Sequence, residues 1–134
     1  MESIKKICED PELGFCPVET GIELLSGKWK TRIMWKLYRA PALSFGELRE
    51  ELDPITEKIL TQQLRELESV GLITRQPRLL ASRRVEYSPS EFGETLRPVF
   101  EKFAQWGFEN KEKILAITNQ KSLAKRITLA SSIG

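Results

Sequence analysis

Three features of the 134-residue chain predict an α+β, mainly α fold. Two short amphipathic segments, residues 44–52 and 55–70, are separated only by the turn signal Asp53-Pro54. Directly after Gly71 the pattern changes to alternation, in Leu72-Ile73-Thr74-Arg75-Gln76 and again in Arg84-Val85-Glu86-Tyr87-Ser88. Residues 90–116 then space Phe92, Leu96, Val99, Phe100, Phe103, Trp106 and Leu115 along one broad apolar helical face. This order describes a winged helix-turn-helix: the helix pair at about 44–70, the wing hairpin at about 72–88 and a long closing helix at about 90–116. The length suits one domain over residues 1–134, with a core that needs no staples.

Residues 1–15 are polar, with a weak helical tendency around Ile4 to Cys8. In CPVETGIELLSGKW, Pro17 suits the first position of a helix, and Glu19 stands where a capping-box acid would stand if Cys16 is the cap. Ser26-Gly27 interrupts the pattern. KWKTRIMWKLY is then either a second helix or a continuation of the first, closed by Ala40-Pro41-Ala42. Ser44 and Glu47 have capping-box spacing, and Leu48 and Leu52 point inward. Pro98 lies early in the closing helix and bends it. Residues 118–134, polar and basic and then small and apolar, fit either a short helix or a disordered tail.

At 100° per residue, Ile59, Leu60, Leu64, Leu67 and Val70 fall on one side of the 55–70 helix. Lys58, Thr61, Gln62, Arg65 and Ser69 form a narrow stripe opposite them. Such a stripe is either a solvated face or a reading face. Lysine and arginine can contact guanine or phosphate, glutamine can pair bidentately with adenine, and threonine can bond a base or touch a thymine methyl. The second helix of a helix-turn-helix enters the major groove by its N-terminal part. Thr56, Glu57, Lys58, Thr61 and Gln62 are therefore the candidate readers, and Arg65 suits a phosphate. Arg78, Arg83 and Arg84 arm the wing loop, where cations can meet phosphates or the minor groove.

The net charge is only +2, but the cations come in blocks, with Lys28, Lys30, Arg32, Lys36 and Arg39 forming one without an acid. That block either lies along a DNA backbone, with Lys30 and Arg32 as contacts, or solvates an amphipathic helix, and Trp29 belongs to the core. The absence of histidine removes Ser-His and Cys-His catalysis and mixed Cys/His zinc sites. Two cysteines, Cys8 and Cys16, are too few for a Cys-only structural zinc site. No enzyme, metal or cofactor is expected. No apolar leader or membrane-length run occurs, which predicts a cytoplasmic protein.

The sequence resembles the HxlR family of bacterial transcription regulators, relatives of the MarR winged-helix regulators. The resemblance spans roughly residues 16–107 and rests on CPVETGIELLSGKWK, FGELREEL, ITEKILTQQLRELESVGLITRQ, RVEYSPSEFGETL and Trp106-Gly107, in order and at family spacing. It implies a homodimer joined by the N-terminal and long C-terminal helices, bound to two-fold operator DNA. Phe100, Phe103 and Trp106 are the interface candidates, because their face runs further than a small core needs; the alternative is that it simply caps the winged domain. The wing departs from the family, with Ala81, Ser82 and Arg83 where prolines often stand.

Several members of the family sense oxidants or electrophiles with a cysteine at the Cys-Pro position, which makes Cys16 a candidate sensor and Cys8 a resolving partner or a bystander. A helix dipole at Cys16 would favour the thiolate, while Glu9, Asp10, Glu12 and Glu19 oppose it. The bland reading is a small cap residue. A small-molecule effector bound between the long helix and the winged core is the competing sensor. The expected partners are double-stranded operator DNA, a second copy of the chain and one such effector, with no membrane. A winged-helix protein-interaction module without specific DNA binding is the alternative function. Salt dependence separates the two, because DNA binding through many phosphates weakens steeply as salt rises.

Overall fold

The computed structural model describes residues 7, 10–77 and 85–119. In chain order they form α1 (Pro17–Leu24), α2 (Lys30–Tyr38), β1 (Leu43–Ser44), α3 (Phe45–Glu51), α4 (Glu57–Ser69), β2 (Ile73–Pro77), β3 (Val85–Pro89), α5 (Glu91–Thr95), α6 (Arg97–Glu109) and α7 (Lys111–Thr118). The segment 17–39 is thus two helices. Among the described residues, no helix is long and apolar enough to cross a membrane.

The cap residues define the helix-turn-helix. Ser44 Oγ accepts from the Glu47 backbone N–H at 3.1 Å, and the Ser44 N–H donates to Glu47 Oε1 at 2.9 Å. This reciprocal box satisfies two otherwise orphaned donors at the start of α3. Thr56 begins α4 in the same manner, its Oγ1 accepting from Ile59 N at 3.2 Å. At the far end Gly71 takes φ +82°, a conformation that side chains disfavour. Its N–H donates to Glu68 O and the Leu72 N–H to Leu67 O, both at 3.0 Å, which is the Schellman pattern of a helix stop. Leu67 and Leu72 are both buried beside that stop. The glycine therefore ends the helix and aims the chain into β2.

β2 and β3 pair antiparallel from Ile73↔Pro89 to Pro77↔Val85. β1 adds to the other edge of β3 through Leu43↔Tyr87 and Ser44↔Glu86, giving the order β1-β3-β2. The sequence showed no sign of β1, because two residues carry no period. The core comprises Trp29, Ile33, Met34 and Leu37 of the α2 segment, Leu48 and Leu52 of α3, and Ile55, Leu60, Leu64 and Leu67 of the α4 segment. It is closed by Leu72, Ile73, Tyr87 and Phe100.

Two expectations need correction. Val70, placed on the inner side of α4 by periodicity, is 42 % exposed. It is the C-cap, where the backbone leaves the helix, so the 100° step no longer fixes its direction. The closing segment 90–116 is three helices rather than one, interrupted at Leu96 and Asn110. Pro98 lacks the N–H that would continue the ladder and sits in the first turn of α6, a helix of 13 residues that matches α4 in length.

α5 and α6 are anchored to α2 by a compact joint. The Tyr38 hydroxyl donates to Gly93 O at 2.6 Å, and Arg97 Nη1 donates to Tyr38 O at 2.7 Å. The Arg97 guanidinium also lies over the Tyr38 ring, 4.9 Å from its centre. Gly93 itself touches the β2 entry, since a Cβ there would lie 2.0 Å from Leu72 O.

Candidate nucleic-acid interface

α4 is positioned by its own apolar side. Leu60, Leu64 and Leu67 are 0–2 % exposed, which fixes the helix in rotation and turns the opposite stripe outward. Lys58, Gln62, Arg65 and Ser69 are exposed, and Thr61 is half-buried. Glu57, Lys58, Thr61, Gln62, Arg65 and Glu66 line one open groove along the helix. Four of the five stripe residues expected from the sequence, Lys58, Thr61, Gln62 and Arg65, therefore share one groove, and Ser69 is not among its lining residues.

The N-terminal candidates are partly engaged within the chain. Thr56 Oγ1 is occupied as the cap acceptor, although a hydroxyl keeps a donor and a second lone pair. Glu57 lies in the first turn, where an acid complements the helix dipole, and sits 3.7 Å from Arg49 of α3.

Lys30, expected at the DNA backbone, instead donates to Glu66 Oε2 of α4 and keeps only 16 % of its side chain exposed. Arg32 lies on the same helix with its guanidinium 5.1 Å from the Trp29 ring centre, and Lys28 lies over that ring at 5.0 Å. Trp29 is buried, as expected. Arg78, Arg83 and Arg84, with the departure at Ala81-Ser82, lie outside the described residues.

Sequence reasoning passed over two residues on this face. Glu66 stands four residues after Gln62, a spacing that is legible in the sequence as a helical pair. It accepts from Lys30 through one oxygen and from Gln62 Nε2 at 3.5 Å through the other. The Lys30 hydrogen bond, and then the Lys30 charge, hold the Glu66 carboxyl below the usual carboxylate range. Arg75 of β2 is exposed, and it joins Thr61, Arg65 and Glu68 around a cleft between α4 and the sheet. Its cross-strand neighbour Tyr87 marks it as being on the core-facing side of the sheet, at the rim.

The other candidates sit away from α4. Cys16 is the half-buried N-cap of α1, with Pro17 at the first helical position and no side-chain cap hydrogen bond. Cys8 lies outside the described residues. Of the three aromatics named for an interface, Phe100 is 7 % exposed and belongs to the chain's own core. It stacks on Trp35 at 6.3 Å and meets Tyr38 edge-on at 5.1 Å. Phe103 and Trp106, by contrast, are 67 % and 58 % exposed.

The profile of the HxlR-like helix-turn-helix family matches residues 24–115, the span that contains the capped helix pair, the hairpin and α6. The chain belongs to this family. It is similar to the uncharacterized HTH-type transcriptional regulator YdeP of Bacillus subtilis, with 41 % identity over 99 residues covering 74 % of this chain and 77 % of YdeP. Among solved structures it is similar to the redox regulator HypR in its reduced form, with a TM-score of 0.68, 35 % identity, and coverage of 75 % of this chain and 98 % of HypR. It is also similar to the reduced form of the transcriptional regulator YodB from B. subtilis, with a TM-score of 0.62, 30 % identity, and coverage of 69 % of this chain and 91 % of YodB. The HxlR-type chain is thus a winged helix-turn-helix of the DNA-binding transcription regulators, and α4 is the second helix of its helix-turn-helix.

Proposed function

We propose that the protein is a homodimeric transcription regulator that binds two-fold operator DNA and responds to oxidants or electrophiles through Cys16. The observation that carries the DNA reading is the division of α4. One side is buried by three leucines, and the other presents Lys58, Gln62 and Arg65 in an open groove. Thr61 and Gln62 meet base edges, Lys58 and Arg65 meet phosphate or guanine, and Thr56 and Glu57 set the entry of the helix. Arg78, Arg83 and Arg84 of the wing supply flanking phosphate or minor-groove contacts, and Arg32 a further backbone contact.

The second copy joins through the exposed apolar side of α6, with Phe103 and Trp106, and through the N-terminal helix, where Val18 and Ile22 are 60 % and 64 % exposed. The two recognition helices then meet successive major grooves about one helical turn apart. Cys16 begins this N-terminal helix, so a modified thiol alters the segment that sets the spacing of the two recognition helices. The likeness to HypR and YodB, named as a redox regulator and a transcriptional regulator solved in its reduced form, supports a redox signal.

The test is a titration of the purified protein against the promoter duplex beside its own gene, at several salt concentrations, reduced and after mild thiol oxidation. The expected result is specific binding that weakens steeply with salt and changes on oxidation in wild type but not in Cys16→Ser. Specific binding with an unchanged oxidant response in Cys16→Ser removes Cys16 as the switch. Binding to a protein partner that is insensitive to salt, with no sequence-specific duplex found, favours the interaction-module reading.

A further inference from the structure

Gln62 has two ways to present its amide to a groove, with the oxygen or the NH2 group leading. Its neighbour one turn on is Glu66, whose Oε1 lies 3.5 Å from Gln62 Nε2, near the outer limit of a hydrogen bond. An ionised carboxylate only accepts, so it selects the NH2 group of Gln62 and turns the amide oxygen away from itself. The Glu66 carboxylate is itself fixed, because Lys30 reaches across from α2 and donates to its other oxygen. Two donors, Lys30 from α2 and Gln62 from the reading stripe, thus converge on Glu66, a residue for which no DNA contact is proposed.

We infer that Glu66 is a positioning residue for base reading: neutralised by Lys30, it orients the Gln62 amide with Oε1 outward and leaves one Nε2 hydrogen beside it. This inference rests on the reading that α4 enters the major groove. An outward amide oxygen accepts from an exocyclic amino group, and the remaining N–H donates to a ring nitrogen. That pair of groups matches N6 and N7 of adenine. The reversed amide would present the NH2 group, which suits the two acceptors of guanine. Glu66 therefore narrows the choice at this position to adenine.

The same contact has an electrostatic consequence. Without Lys30, Glu66 would place an uncompensated negative charge beside the phosphates. Without Glu66, Lys30 would be released as one more cation on the DNA side. The pair holds specificity and non-specific affinity in opposition. Losing Glu66 should loosen the reading of one base while tightening the grip on any duplex.

The experiment is selection of duplexes from a randomised pool by full-length wild type, Gln62→Ala, Glu66→Ala and Glu66→Gln, followed by salt titrations on one random duplex. Wild type should enrich adenine at one position per half-site, and Gln62→Ala identifies that position by losing it. Glu66→Ala should lose the same preference, by about fivefold or more, and no other. Its salt slope on the random duplex should steepen by about 0.9 per subunit as Lys30 turns to phosphate. Glu66→Gln loses the charge and offers the Gln62 amide a donor as well as an acceptor, so it no longer selects one orientation. It should relax the adenine preference as Glu66→Ala does and show the steeper slope, and it decides the matter if Glu66→Ala does not fold. An adenine preference that survives in folded Glu66→Ala or in folded Glu66→Gln overturns the inference. A general loss of sequence preference at every position in Glu66→Ala also overturns it. A wild-type protein that enriches no sequence overturns the regulator reading and this inference with it.

Discussion

α4 and α6 have the same length of 13 residues and a similar apolar periodicity, yet they use it differently. α4 buries Leu60, Leu64 and Leu67 in its own chain and turns a polar stripe outward. α6 buries Phe100 alone and leaves Val99, Phe103, Trp106 and Phe108 between 48 % and 69 % exposed. Periodicity announces that a face will be covered, and it does not say by which molecule. The chain itself covers α4. For α6 the proposed cover is a second copy, and substitutions along the two helices test that division.

The largest expected effect comes from phenylalanines three residues apart on α6. Phe100→Ala should cost roughly 3–5 kcal/mol at any protein concentration, because its partners Trp35 and Tyr38 lie in the same chain. Phe103→Ala should barely alter the stability of a dissociated subunit. Its melting temperature should instead become less dependent on concentration than that of wild type, with loss of operator affinity, as an interface residue requires. Denaturant and thermal melts at several concentrations, with sedimentation analysis, check both. A concentration-independent loss of similar size in Phe103→Ala would dissolve the distinction between the two positions.

Next comes the joint that ties the α6 side of the molecule to the α4 side. Gly93→Ala should destabilise by about 3 kcal/mol. The added Cβ would meet the backbone oxygen of Leu72 at 2.0 Å, and backbone cannot swing aside as a flexible side chain can. Loss of stability with dimerisation intact in the folded fraction is the outcome expected from chemical denaturation read alongside sedimentation. A melting point equal to wild type would show that α5 and the β2 entry move apart easily.

The same joint should show itself in alkali. Burial, followed by the Glu94 charge and opposed by Arg97, pushes the Tyr38 hydroxyl up to about 12. An unfolded tyrosine ionises near 10. Between those values the unfolded chain releases a proton that the folded chain keeps, so stability falls as pH rises from about 10 to 12. Tyr38→Phe should remove this slope and cost about 0.5–1.5 kcal/mol at neutral pH, since the buried Gly93 carbonyl loses its 2.6 Å hydroxyl donor but keeps the Leu96 N–H at 3.1 Å. Denaturant midpoints across that pH range measure both effects, and an equal alkaline slope in Tyr38→Phe would assign the titration to another group.

Much of this architecture was legible because the signals were local. Ser44 with Glu47, Asp53-Pro54 and Gly71 each dictate a cap, a turn or a stop through their own backbone chemistry. The outward stripe of α4 followed from rotation alone. What stayed hidden depends on tertiary placement: the two-residue β1, the break at Asn110, the capture of Lys30 by Glu66, and Phe100 facing inward while Phe103 faces out. Lys30 and Glu66 are 36 residues apart, and no periodicity links them. Phe100 reads as a member of one long face until α2 is seen to occupy part of that face.

Val70 carries the smallest effect and the sharpest test of how far periodicity reaches. By rotation it belongs with Leu67, yet it is 42 % exposed where Leu67 is fully buried. Leu67→Ala should therefore cost about 2–5 kcal/mol, and Val70→Ala should stay within about 0.5 kcal/mol of wild type. The backbone explains the contrast, since Val70 is the C-cap and the glycine that follows has already turned the chain toward β2. Denaturant midpoints of the two variants decide it. A cost in Val70→Ala approaching that of Leu67→Ala would mean that something covers Val70 in solution, and the comparison of the two helices would then have to include a second buried face on α4.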